Sequence, residues 1–201
     1  MAQQPYRVPQ RDLEVVLEVK RSRFIARAGY AESRAAALAN VARARLDHPD
    51  ARHHCWAYLL GDPARTASAA MNDDGEPSGT AGRPILNVIQ HKGIGDLVVV
   101  VIRYFGGIKL GAGGLVRAYA GVTELVLSQL PTRPCQPRCE VALALEFAQE
   151  QPLRHWAGGH EAEIIRVDYG AEVVVTLSLP AAVLAELERF CRVHAIRQLT
   201  G

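Results

Sequence analysis

The chain has 201 residues, 49% of them hydrophobic and 22% charged, with a net charge of only +2. That is the composition of an ordinary globular protein of one large or two small domains, and it excludes a histone-like or polybasic binder. No apolar run approaches the roughly 20 residues that span a bilayer, so no membrane association is expected. Up to Pro131 the chain carries 16 Lys and Arg against 12 Asp and Glu, a net of +4, and the remainder carries 7 against 9, a net of −2. Any electrostatic surface for nucleic acid therefore belongs to the N-terminal part and must be local.

The first residues, MAQQPYRVPQRD, lack the apolar core of a secretory signal and read as a loose arm. Leu13–Val19 and Lys20–Tyr30 form a first strand pair. Glu32–Leu46 is alanine-rich, with Ala35, Leu38, Val41 and Leu46 at helical spacing, and His48-Pro49-Asp50 ends that helix. His54–Gly61 reads as a strand with Cys55, Ala57 and Leu59 on one face, and Arg65–Met71 as its partner. His53 and His54 have no carboxylate at ligand spacing, which favours a structural role over metal binding. Asn72–Gly82 is loop, and its Asp73, Asp74 and Glu76 would repel a phosphate unless a cation intervened or they faced elsewhere. They read as a solvated acidic loop, with Asp74, Glu76, Gly79 and Thr80 as a possible ligand loop. Pro84 suits the first turn of a second helix, capped near Thr80 or Gly82, whose inner face is Ile85, Val88 and Ile89.

Leu97–Ile102 is an unbroken apolar, largely β-branched run, the pattern of a strand buried on both faces. From Leu115 the period changes, and Leu115, Tyr119, Val122 and Val126 share one helical face. Between them lie Gly106, Gly107, Gly111, Gly113 and Gly114, with Arg103, Lys109 and Arg117 around them. Glycines let an anionic group approach a helix's first N–H groups, and three cations favour a negative partner. With Arg83 at the other helix start, two helix ends could form one composite anion pocket. A P-loop fails here, because Ala112-Gly113 stand where Lys and Ser/Thr are required, and a dinucleotide fingerprint fails at Val116. A glycine-rich turn that merely packs strand against helix accounts for the spacing about equally well.

Pro131–Pro137 reads as a stiff proline-rich linker (boundaries 132–137) between a domain of residues 1–131 and one of residues 138–201. After it come strand Cys139–Phe147, helix Glu150–Ala157, strands Glu161–Tyr169 and Glu172–Leu179, helix Pro180–His194 and strand Ala195–Leu199. This βαββαβ order is the ferredoxin-like unit, and the fold class is α+β. Its strands lack the aromatic run of an RNA-recognition motif, so it reads as a spacer or protein-contact domain. Cys55, Cys135, Cys139 and Cys191 lack zinc-ribbon spacing and are expected to be reduced thiols in a cytoplasmic protein, without metal or cofactor.

Four ordered motifs resemble the IMPACT/YigZ family: KRSRFIA at Lys20–Ala26, HHCWAY at His53–Tyr58, DDGEPSGTAGRPIL at Asp73–Leu86 and RYFGGIKLGAGGLVRAY at Arg103–Tyr119. Departures from the family's pattern are small, such as Arg83, where Lys is also usual. The resemblance implies an N-terminal domain of the ribosomal S5 domain-2 type followed by a ferredoxin-like domain. It also implies a link to translation: eukaryotic members restrain an initiation-factor kinase by binding its activator, and bacterial members are associated with nucleic-acid binding. It carries over no catalytic residues. The expected function is thus a non-enzymatic module that binds RNA, the ribosome or a translation-related protein. The alternative is an enzyme acting on a phosphorylated or nucleotide substrate, with His53, His54, Asp74 and Glu76 as candidate acids and bases.

Overall fold

A two-residue turn starts the main sheet. β2 (Leu13–Val19) and β3 (Ser22–Tyr30) are joined by Lys20 and Arg21, which both take positive φ, +48° and +65°. That is the handedness a tight hairpin needs, although neither residue is glycine or asparagine. The computed structural model describes residues 5–136 and 138–199. They divide into two units, Tyr6–Cys135 and the residues from Gln136 onward.

The larger unit holds β1 (Tyr6–Pro9), β2, β3, α1 (Arg34–Asp47), β4 (His53–Leu60), β5 (Ser68–Asn72), α2 (Gly82–Lys92), β6 (Leu97–Tyr104), α3 (Ala112–Gln129) and β7 (Thr132–Cys135). Five strands pair antiparallel in the order β2-β3-β6-β4-β5. The apolar run sits at the centre, as its composition demands. Leu97, Val99 and Val101 pack under α2 and α3, and Val98, Val100 and Ile102 pack under α1. Cys55, Ala57 and Leu59 of β4 face the α2–α3 side together. Asp62 accepts from the Ala64 N–H and Pro63 opens a short 3-10 turn over Pro63–Arg65, so β5 starts later than the pattern suggested.

From Tyr6 onward the N-terminal arm is not loose; its first four residues lie outside the described ones. β1 pairs antiparallel with β7, from Tyr6 opposite Cys135 to Pro9 opposite Thr132. Arg7 donates to the Thr132 hydroxyl from Nε (2.9 Å) and Nη2 (2.7 Å), and the Tyr6 hydroxyl donates to Asp96 Oδ2 at 2.7 Å. Prolines are tolerated because the ribbon has only two strands, and its outer edge is bridged at Arg7, to Ile94, rather than at Pro9. The stretch read as linker therefore contains a strand, and the units divide after Cys135; Pro137 lies outside the described residues.

The smaller unit runs β8 (Arg138–Leu145), α4 (Glu150–Gly159), β9 (Glu163–Tyr169), β10 (Val173–Pro180), α5 (Leu184–Val193) and β11 (Arg197–Leu199). Its all-antiparallel sheet has the order β11-β8-β10-β9, the ferredoxin-like arrangement of a βαββαβ chain. Leu153, Ala157, Leu187 and Cys191 of the helices close a core with Leu143, Leu145, Val173, Val175, Leu177 and Leu179. A core of its own is what independent folding requires. Expressed alone, residues 138–201 should give dispersed amide resonances and a cooperative melt, and a collapsed spectrum would show that this unit depends on the rest of the chain.

Candidate functional site

The strand register brings both glycine-containing loops to one end of the five-stranded sheet. Arg103, near the end of β6, lies opposite Phe24 on β3 and His53 on β4. The loop after β6 leads into α3, and the loop after β5 leads into α2.

The acidic loop is not a solvated one, because each carboxylate has an internal partner. Asp73 Oδ1 accepts from the backbone N–H groups of Ala81 (3.0 Å) and Gly82 (2.8 Å), and its Oδ2 accepts from Gly79 (2.8 Å). Asp73 thus caps α2, whose N-cap position, Ala81, has no side chain able to do so. This corrects the composite pocket expected from two helix ends: the α2 end already holds a carboxylate. Burial pushes the Asp73 carboxyl up, but the three N–H groups outweigh it and hold the group below the usual range. Its contribution is present above the ordinary carboxylate pKa and is lost as pH falls through the lowered one. Asp73→Ala should accordingly cost about 1–2 kcal/mol at pH 7 and much less in strong acid. A variant whose denaturation midpoint matches the parent at neutral pH would remove the cap from this account.

Asp74 accepts from the His54 backbone N–H (2.7 Å) and from Arg45 (2.8 Å), and its carbonyl meets His53 Nδ1 at 2.9 Å. The carboxylate that sequence spacing did not place near the histidines is therefore present: it anchors the His54 backbone and lies 3.8 Å from the His54 ring, while the His53 ring is held by the Asp74 carbonyl. His54 is buried, which holds its imidazolium pKa down. Glu76 Oε1 accepts from Arg103 Nη1 (2.6 Å) and from the Tyr119 hydroxyl (2.8 Å). The Cys55 thiol sits 3.3 Å from that hydroxyl and donates to the Asp73 carbonyl at 2.9 Å. Burial pushes the Cys55 thiol up to about 12 and raises the Tyr119 phenol as well, so both stay protonated at neutral pH. Thr80 donates to the Pro77 carbonyl at 2.7 Å, and Gly79 makes a turn at φ +76°.

The cations divide differently from the sequence pattern. Arg103 is buried, its guanidinium over the rings of Phe24 (5.4 Å) and Phe105 (5.6 Å), and it pairs with Glu76 rather than standing open to a ligand. Lys109 and Arg117 are exposed, and among the described residues neither has a carboxylate partner. The Arg117 guanidinium reaches back along the helix to within 3.4 Å of where a Gly113 Cβ would lie, at the start of α3. Arg83 is exposed on the first turn of α2, apart from the cleft described below. Sequence reading passed over Lys20, Arg21 and Arg52, also exposed and also without a carboxylate. The strained Lys20-Arg21 turn packs its backbone on Gly106, and Arg52 directly precedes β4.

The glycines serve two purposes. A Cβ on Gly106 would lie 2.0 Å from the carbonyl carbon and oxygen of Arg21, and its N–H donates to Ser22 Oγ at 3.2 Å. Gly114 packs on Leu110 (2.9 Å for a notional Cβ), while Gly107 and Gly113 are exposed. Gly111 is the N-cap of α3 at φ +73°, and no side chain caps that end. Gly106→Ala must push two backbone segments apart and should cost about 3 kcal/mol or more, against near neutrality if the loop were merely open. Chemical denaturation decides between these.

Between the two loops lies a cleft of about 370 Å³, walled by Arg52, His53, Glu76, Phe105, Lys109 and Gly111 among others. A second cleft, of about 240 Å³, is lined partly by Arg27 and Arg43, but these already pair with Glu14, Asp47 and Asp12. It offers no free charge. Among the described residues no three His, Cys, Asp or Glu side chains converge as a metal site, and no helix is long and apolar enough to cross a membrane.

Residues 20–127 match the Impact N-terminal domain, and residues 143–190 match a domain of unknown function. The IMPACT family member YigZ of Escherichia coli is 42% identical over 179 residues, covering 89% of this chain and 88% of that protein. An IMPACT family member of Haemophilus influenzae is 35% identical, covering 87% and 84%. A crystal structure described as that of a hypothetical protein superposes with a TM-score of 0.82 at 39% identity, covering 99% of this chain and 98% of its own.

Proposed function

Because the chain belongs to the IMPACT family, we propose that it is a translation-associated, non-enzymatic, cytoplasmic protein that binds RNA at the loop-bearing end of its five-stranded sheet. One observation carries this reading. At that end Lys20, Arg21, Arg52, Lys109 and Arg117 are exposed without carboxylate partners, while Asp73, Asp74 and Glu76 are all engaged internally. Such cations are free to neutralise phosphates, and an RNA backbone neutralised in this way releases its own condensed counterions, which favours binding at low salt. The uncapped start of α3 adds N–H donors beside Lys109 and Arg117.

The enzyme alternative draws little from the same place. Glu76 and Asp74 are tied to Arg103, Tyr119, Arg45 and backbone N–H groups, and the neighbouring thiol is held protonated. Capture of the tagged full chain from lysate at low salt, with sequencing of bound RNA and identification of co-purifying proteins, tests the reading. Ribosomal or transfer RNA, released by raising the salt, is the expected result. A translation factor that co-purifies equally well after nuclease treatment, without RNA enrichment, would move the function to protein binding; a small phosphorylated ligand would move it to catalysis.

A further inference from the structure

The cleft beside these cations has features that phosphate binding alone does not call for. Phe105 stands on its wall with 49% of its surface exposed. One side of the ring is backed by the Arg103 guanidinium at 5.6 Å, which Glu76 and the Phe24 ring hold in place. The result is a fixed aromatic face rather than a loose side chain. At the cleft lining, Glu76 Oε1 takes both internal hydrogen bonds, so Oε2 has no partner among the described residues. The carboxylate therefore presents an acceptor, and no donor, to whatever enters.

We propose that this cleft takes one unpaired RNA base, stacked on Phe105 with the N–H groups of its edge on Glu76 Oε2, while Arg52 and Lys109 hold the flanking phosphates. The proposal rests on the RNA-binding reading above and adds the kind of RNA to it. A cleft of about 370 Å³ lies near the lower end of the roughly 300–1,000 Å³ range of small-ligand sites. It suits one nucleotide, and a base inside a duplex reaches it only by leaving the stack. Aromatic faces next to cations are how single strands are held, and sequence-specific readers of RNA work on such unstacked bases. An acceptor-only carboxylate favours guanine, with two adjacent donors on its pairing edge, over uracil, whose single N–H lies between two carbonyl acceptors.

Fluorescence anisotropy of the full-length protein tests this with a guanine-containing single-stranded RNA, oligo(U), and the guanine strand annealed to its complement. The guanine strand should bind about tenfold more tightly than either of the others, and Phe105→Ala should lose about tenfold in affinity, restored by Phe105→Trp. The salt dependence should not change in the Phe105 variants, because no phosphate contact is altered. Glu76→Gln should narrow the guanine preference; since Glu76 also holds Arg103, the exposed Phe105 variants carry the decision if that variant melts early. GMP should displace the RNA only at far higher concentration than the strand itself, and GMP binding as tightly as RNA would assign the cleft to a free nucleotide and overturn the proposal. Phe105→Ala binding like the parent, while a variant lacking Arg52, Lys109 and Arg117 side chains is impaired, would sink the base subsite and leave the RNA surface standing. If neither variant is impaired, the RNA reading itself fails.

Discussion

Arg103→Ala is expected to destabilise the N-terminal unit by about 3–5 kcal/mol, the cost typical of removing one member of a buried ion pair. The side chains of Arg103 and Glu76 are 7% and 4% exposed, so water screens this pair little. Without Arg103, Glu76 keeps one donor, the Tyr119 hydroxyl, and becomes a buried carboxylate without a counter-charge. The guanidinium also fills space between Phe24 and Phe105, and Phe24 packs edge-on against Tyr119 with ring centroids 5.3 Å apart. In a unit of this size the loss corresponds to a fall in Tm of roughly 10 °C or more, readable by circular dichroism. Replacing the pair together, Arg103→Met with Glu76→Leu, should cost much less, because no charge is then stranded. If the single variant melts within a degree or two of the parent, the pair does not hold the acidic loop to β6.

This expected loss of stability separates Arg103 from Lys109 and Arg117, which the sequence grouped with it. Spacing placed the three around one strand-to-helix turn, and that much is correct. It did not show that Glu76, 27 residues earlier, would reach Arg103, because no local pattern links a loop acid to the end of a strand two neighbours away. The Asp73 cap was hidden for a related reason: cap rules look immediately before a helix, and Asp73 acts on Ala81 from eight residues upstream.

Side-chain periodicity carries most of what is legible in the sequence. The β-branched run at Leu97–Ile102 has no polar position, so burial on both faces follows, and the βαββαβ order after residue 138 follows from alternation and amphipathic spacing. β1 and β7 gave no such signal. Each is four residues long and contains proline, and the ribbon forms only when partners about 125 residues apart meet. Arg52 and the Lys20-Arg21 turn were overlooked as site residues because cations gain meaning only when neighbouring acids are known to be engaged. A signal was available in principle: both stand immediately before a strand, at the end where the glycine loops emerge.

The salt dependence of RNA affinity tests the central claim most directly, comparing the parent with the triple variant Arg52→Ala, Lys109→Ala, Arg117→Ala. Each phosphate contact on a single strand contributes about 0.7 to the slope of log affinity against log salt. Losing three contacts should flatten that slope by about 2 and weaken binding roughly 100-fold near 0.1 M salt, for all sequences alike. The melting temperature should stay within a few degrees, since all three side chains are exposed and without carboxylate partners. A triple variant that folds normally and binds RNA with the parental affinity and slope would contradict the account.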